Sequence, residues 1–235
     1  MLFEHFRLLS EKEIRSKNMV FLWIAAYGLV YSLASCLLQT AYPWAVPLAM
    51  VAYAAALIGW VFRTGQARFL GFCAPRWSVP CDFYLVFLLL PACNLLTAKT
   101  VFPNFPSLFL MLSVCAVEEI FFRGFLLRWL LRFGSLPAIL FSSGIFALFH
   151  LVNLIGGSDF AYTWMQILCA FTAGICYSAV AIQLGSLIPC FFAHFLTNIT
   201  AAPISAGAVS WFWLCVTAYG CLGFSLCKKV VSSTT

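Results

Sequence analysis

From residue 19 to residue 227 the chain is a succession of apolar runs of about 20 residues, separated by short joints. A helix of that length spans a hydrocarbon core about 30 Å thick, because each residue advances ~1.5 Å. Lipid offers the backbone no hydrogen-bond partners, so each run must satisfy its own N–H and C=O groups as a helix. The chain is 64% hydrophobic and 9% charged, with a mean hydropathy of +1.01. A soluble domain would carry about 25% charged residues. The sequence therefore reads as an all-α polytopic membrane protein with about eight transmembrane helices and a buried polar cavity.

The expected spans are 19–38, 44–62, 83–98, 107–130, 137–155, 162–183, 186–202 and 209–227. Pro43, Pro80, Pro103, Pro137 and Pro203 punctuate the joints, where proline is tolerated. Pro91 lies inside the short third span and marks an expected kink or tilt. No repeat or linker divides the chain. It reads as a cytoplasmic N-terminal segment (1–18), a single transmembrane domain (19–227) and a short C-terminal tail (228–235). Leu33-Ala34-Ser35-Cys36 resembles a lipoprotein cleavage box, but Glu4, Glu11 and Glu13 precede it, and an uncleaved first helix is expected. The eleven cysteines contain no CxxC pair and read as packing residues.

Charge sets the expected orientation. With eight spans and an inside N-terminus, Arg7, Lys12, Arg15, Lys17, Arg63, Arg68, Arg76, Arg128, Arg132, Lys228 and Lys229 all fall on the cytoplasmic side. Only Lys99 falls in an outer loop, with Asp159 also outside. That asymmetry is the positive-inside pattern, so the net charge of +6 is a topology signal and implies no nucleic-acid partner. Both termini are expected in the cytoplasm, and the plasma (inner) membrane is the expected location.

Against this apolar background, Val117-Glu118-Glu119-Ile120-Phe121-Phe122-Arg123 stands out, because each ionisable group in a span costs roughly 2.5–3.5 kcal/mol on insertion scales. Glu119 and Arg123 are an i, i+4 pair and can neutralise each other, a structural and orienting role. Glu118 points about 100° away and needs partners from other helices. His150 in the fifth span, and His194 and Asn198 one turn apart in the seventh, are the polar groups at similar depth. One shared polar site is expected from Glu118, His150, His194 and Asn198.

These motifs in this order, Glu118-Glu119-x-x-x-Arg123, Phe146-x-x-x-His150 and His194-x-x-x-Asn198, resemble the signature of the CAAX protease and bacteriocin-processing (CPBP, or Abi) family. That family includes the CAAX prenyl endopeptidases, and the similar core spans residues 107–202. The resemblance implies an intramembrane endopeptidase with an eight-helix core that cleaves through a glutamate-activated water without an acyl-enzyme. It implies a peptide or protein substrate in a lipid bilayer, and the basic loop at 63–81 with Arg128 and Arg132 suits the C-terminal region of such a substrate.

The groups suit that chemistry. A carboxylate kept from bulk water is a stronger base than in solution, so Glu118 is the expected base, with His150 orienting the water. His194 and Asn198 are the expected donors to the oxyanion. No cofactor is expected on this reading. Three others stand beside it. Zinc held by Glu118, His150 and His194 would make a metalloprotease of the same residues. Cys190, one turn before His194, could serve as a thiol nucleophile. A transporter, immunity or scaffold protein could use the same polar cluster without catalysis.

Overall fold

A computed structural model describes residues 23, 26–27, 44–97, 103–155, 157–200 and 209–234. All regular structure among these residues is helical, with no strand. The principal helices are α1 (Ala45–Arg63), α2 (Leu85–Thr97), α3 (Phe105–Phe133), α4 (Ser135–Phe149), α5 (Phe160–Leu184), α6 (Ile188–Thr200) and α7 (Val209–Thr234). They fall within a few residues of seven expected spans. The other expected span, 19–38, lies outside the described residues apart from Trp23, Ala26 and Tyr27, as do segment 1–18 and the cleavage-box lookalike. Among the described residues, five helices are long and apolar enough to cross a membrane, and α6 is a shorter apolar helix. The chain is an integral membrane protein.

Local chemistry sets the helix ends. The Asn104 side chain accepts a hydrogen bond from the Ser107 amide at 3.0 Å at the start of α3, and Asp159 accepts from the Tyr162 amide at 2.9 Å at the start of α5. Gly185 ends α5 at φ 69°, a left-handed position that disfavours a side chain. Helix α2 runs through Pro91. Helix α7 continues through Lys228 and Lys229 to Thr234.

Helix α5 is the most buried of the long helices and packs against α4 and α7. Its close neighbours need small residues: a Cβ on Gly174 would lie 3.1 Å from the Ser143 Cβ of α4, and one on Gly223 of α7 would lie 2.9 Å from Ile175. Helix α1 packs on α3, and α6 touches α2, α3 and α5. Two apolar cores result. One gathers Phe83, Leu127, Ile139, Tyr177 and Leu184; the other gathers Met50, Leu57, Val117, Phe121 and Phe146. Helix α3 borders both, and Leu126 packs against each. The outward surface stays apolar, with Leu88, Phe141, Trp213 and Phe224 exposed, as a lipid-facing surface requires.

Among the described residues, Arg76 and Lys229 lie at the end of the bundle where α5 terminates. The Arg76 amide donates to the Leu184 carbonyl at 3.0 Å and its side chain to the Gln183 carbonyl at 3.3 Å. Lys229 pairs with Asp82 at 2.6 Å. This is the end that the charge rule associates with the cytoplasmic face.

Candidate active site

Helix α3 does not stay α-helical through the site. From Ile120 to Leu126 it widens into a π-helical turn, directly after Glu118 and Glu119. Such turns shift the register of a helix face and recur at functional sites. Across the turn, the Ser142 hydroxyl of α4 donates to the Phe122 carbonyl at 2.8 Å and ties the distorted segment to its neighbour.

Glu119 and Arg123 bridge this junction. Arg123 Nη1 donates to Glu119 Oε1 at 2.9 Å, and both side chains are essentially sealed from the surface. The guanidinium also lies 4.2 Å over the Phe146 ring and 5.4 Å from that of Tyr177, faces that attract a cation. A buried pair of this kind is tolerable only when geometry and neighbours offset desolvation. The ring faces supply part of that offset.

His194 links the two glutamates. Its Nδ1 is 2.9 Å from Glu119 Oε1, while its Nε2 is 3.7 Å from Glu118 Oε2. A carboxylate only accepts, so Nδ1 carries the proton and donates to Glu119. The ring is fixed by stacking on Tyr177 at 5.6 Å and by an edge contact with Phe146 at 5.6 Å. Cys190 and Ala193 pack beneath it in the first core.

Glu118 is buried and points away from Glu119, as its neighbour position on a helix dictates. Its Oε1 accepts a hydrogen bond at 3.0 Å from the Tyr27 hydroxyl, 91 positions earlier. Nothing local in the sequence marks Tyr27. The only signal was a hydroxyl-bearing aromatic inside an apolar run.

His150 sits just beyond the end of α4, half-buried, with Nδ1 3.1 Å from the Phe146 carbonyl. A carbonyl only accepts, so this nitrogen also carries the proton and Nε2 keeps its lone pair. His150 is within electrostatic reach of both Glu118 and His194. Asn198, one turn beyond His194 on α6, donates to the Cys115 sulfur at 3.3 Å. Cys115 itself lies close enough to feel both glutamates. The polar residues singled out in the sequence thus gather around one seam between the two cores.

Two of the other sequence readings meet specific geometry here. The Cys190 thiol is fully buried and donates to the Tyr177 carbonyl at 3.3 Å, which is a packing arrangement. For zinc, no group of three or more His, Cys, Asp or Glu side chains placed to hold a metal ion is found among the described residues. The Nδ1 of His194 is engaged by Glu119 and that of His150 faces a carbonyl, which leaves Nε2 as the nitrogen each ring turns toward the site.

Residues 100–200 match the family model described as type II CAAX prenyl endopeptidase Rce1-like. The matched segment holds Glu118, Glu119, Arg123, His150, His194 and Asn198, and it leaves out Tyr27. No curated protein and no solved structure matches the chain.

Proposed function

Through residues 100–200 the chain belongs to the CAAX protease family, and from that premise we propose that it is a glutamic-type intramembrane endopeptidase with Glu118 as its base. Family membership supports a membrane peptidase acting on a peptide or protein. The finer mechanism rests on one observation, the buried His194 ring whose Nε2 faces Glu118 while its Nδ1 is held by Glu119.

In this mechanism a water lies between Glu118 and the lone pair of His150 Nε2. Glu118 takes a proton from it, and the oxygen attacks the peptide carbonyl carbon. The C=O electrons move onto oxygen and form the tetrahedral oxyanion. The amide nitrogen then takes the proton from Glu118 as the C–N bond breaks, which returns the carboxylate to its starting state. The oxyanion needs donors, and His194 Nε2 donates only when the ring is an imidazolium. Asn198 has a second N–H besides the one directed at Cys115, and sulfur is a weak acceptor that exchanges readily. Glu119 and Arg123 orient this machinery. No step passes through a metal ion.

Substrate enters from the cytoplasmic side, where the basic rim of Arg76, Arg128, Arg132 and Lys229 attracts an acidic C-terminal carboxylate. The test is cleavage of an internally quenched peptide ending in a CAAX sequence, farnesylated and unmodified, by purified protein with and without a strong chelator. Cleavage that persists under chelation supports the reading. Cleavage lost on chelation and restored by zinc overturns it.

A further inference from the structure

We propose that Tyr27 is a positioning residue for the base, an inference that rests on the assignment of Glu118 above. The observation is the 3.0 Å hydrogen bond from the Tyr27 hydroxyl to Glu118 Oε1, made by a residue that is 3% exposed. It distinguishes the two carboxylate oxygens. Oε1 is held by the phenol, and Oε2 is left facing His194 at 3.7 Å. A carboxylate on a three-torsion side chain can swing away from a bound water, and a fixed donor restricts that freedom.

The phenol is itself held. Its ring stacks on Phe149 at 5.7 Å with 14° between the planes, and meets Phe121 and Tyr53 at 6.1 Å each. Phe149 is the residue before His150, so the same stack also supports the backbone that carries the second water-orienting group. Tyr27 therefore fixes one end of the Glu118–His150 pair through its hydroxyl and the other through its ring. It belongs to the part of the chain outside the matched segment, so the site takes in a residue that the family model does not cover.

Tyr27→Phe removes the hydroxyl and keeps the ring. The control is Tyr53→Phe, which removes a hydroxyl from the same aromatic cluster, where it donates to the Trp23 carbonyl and does not touch Glu118. With the quenched CAAX peptide as probe, Tyr27→Phe is expected to lower kcat by about 10- to 100-fold, with KM within about twofold and the melting temperature unchanged. Tyr53→Phe is expected to leave kcat unchanged. Equal losses in both variants, a loss confined to KM, or a normal kcat in Tyr27→Phe would each overturn the positioning role. Wild-type failure to cleave, or full activity in Glu118→Gln, would instead remove the base assignment and this inference with it.

Discussion

Glu119 Oε1 receives two hydrogen bonds at 2.9 Å, one from Arg123 a single turn away and one from His194 75 positions away. One oxygen thereby joins the ion pair of α3 to the imidazole of α6. Glu119 is both the counter-ion that lets Arg123 be buried and the group that sets which nitrogen of His194 faces Glu118. Its loss and the loss of Glu118 should therefore look different.

Arg123→Ala leaves Glu119 buried beside His194 without its cation. Breaking such a pair costs about 3–5 kcal/mol. Reduced yield and a lower melting temperature in detergent are expected. Arg123→Lys should recover little of this, because a lysine lacks the planar fork and stacks less well on Phe146. Full recovery in the lysine variant would mean that only net charge matters.

Asn198→Ala removes one oxyanion donor. A fall of roughly 10²- to 10³-fold in kcat with KM nearly constant is expected from steady-state kinetics. An effect on KM alone would reassign Asn198 to substrate binding.

Gly174→Ala tests whether the contact between α4 and α5 supports the site. The added Cβ would meet Ser143 Cβ at 3.1 Å and Arg123 Nη2 at 3.3 Å, whereas one on Gly59 would meet nothing within 4 Å. Overpacking of this kind costs typically 1–3 kcal/mol. A thermal-shift comparison should show a lower melting temperature for Gly174→Ala and no change for Gly59→Ala.

Much of this arrangement was legible before any coordinates. The span expected at 162–183 is α5, Phe160–Leu184, because hydropathy, Asp159 and Gly185 all act locally. The Glu119–Arg123 pair was legible for the same reason, since i, i+4 spacing puts both groups on one face. What stayed hidden is what depends on packing between helices. His194 was expected as an oxyanion donor or, on the zinc reading, as a ligand, and its bond to Glu119 has no local spacing to announce it. The π-turn after Glu119 is tied to α4 through Ser142 and Phe122, a contact that no helix periodicity encodes. Tyr27 reaches Glu118 from an apolar run in which nothing but its hydroxyl distinguishes it.

The measurement that bears most directly on the central claim is the cleavage rate of purified Glu118→Gln beside wild type, both treated with chelator, on the quenched CAAX peptide. Glutamine keeps the size of the side chain and can still accept a hydrogen bond from Tyr27, so expression and melting temperature should stay close to wild type. Wild type is expected to turn over and Glu118→Gln to show no detectable cleavage. A well-folded Glu118→Gln protein that cleaves at the wild-type rate would contradict the account.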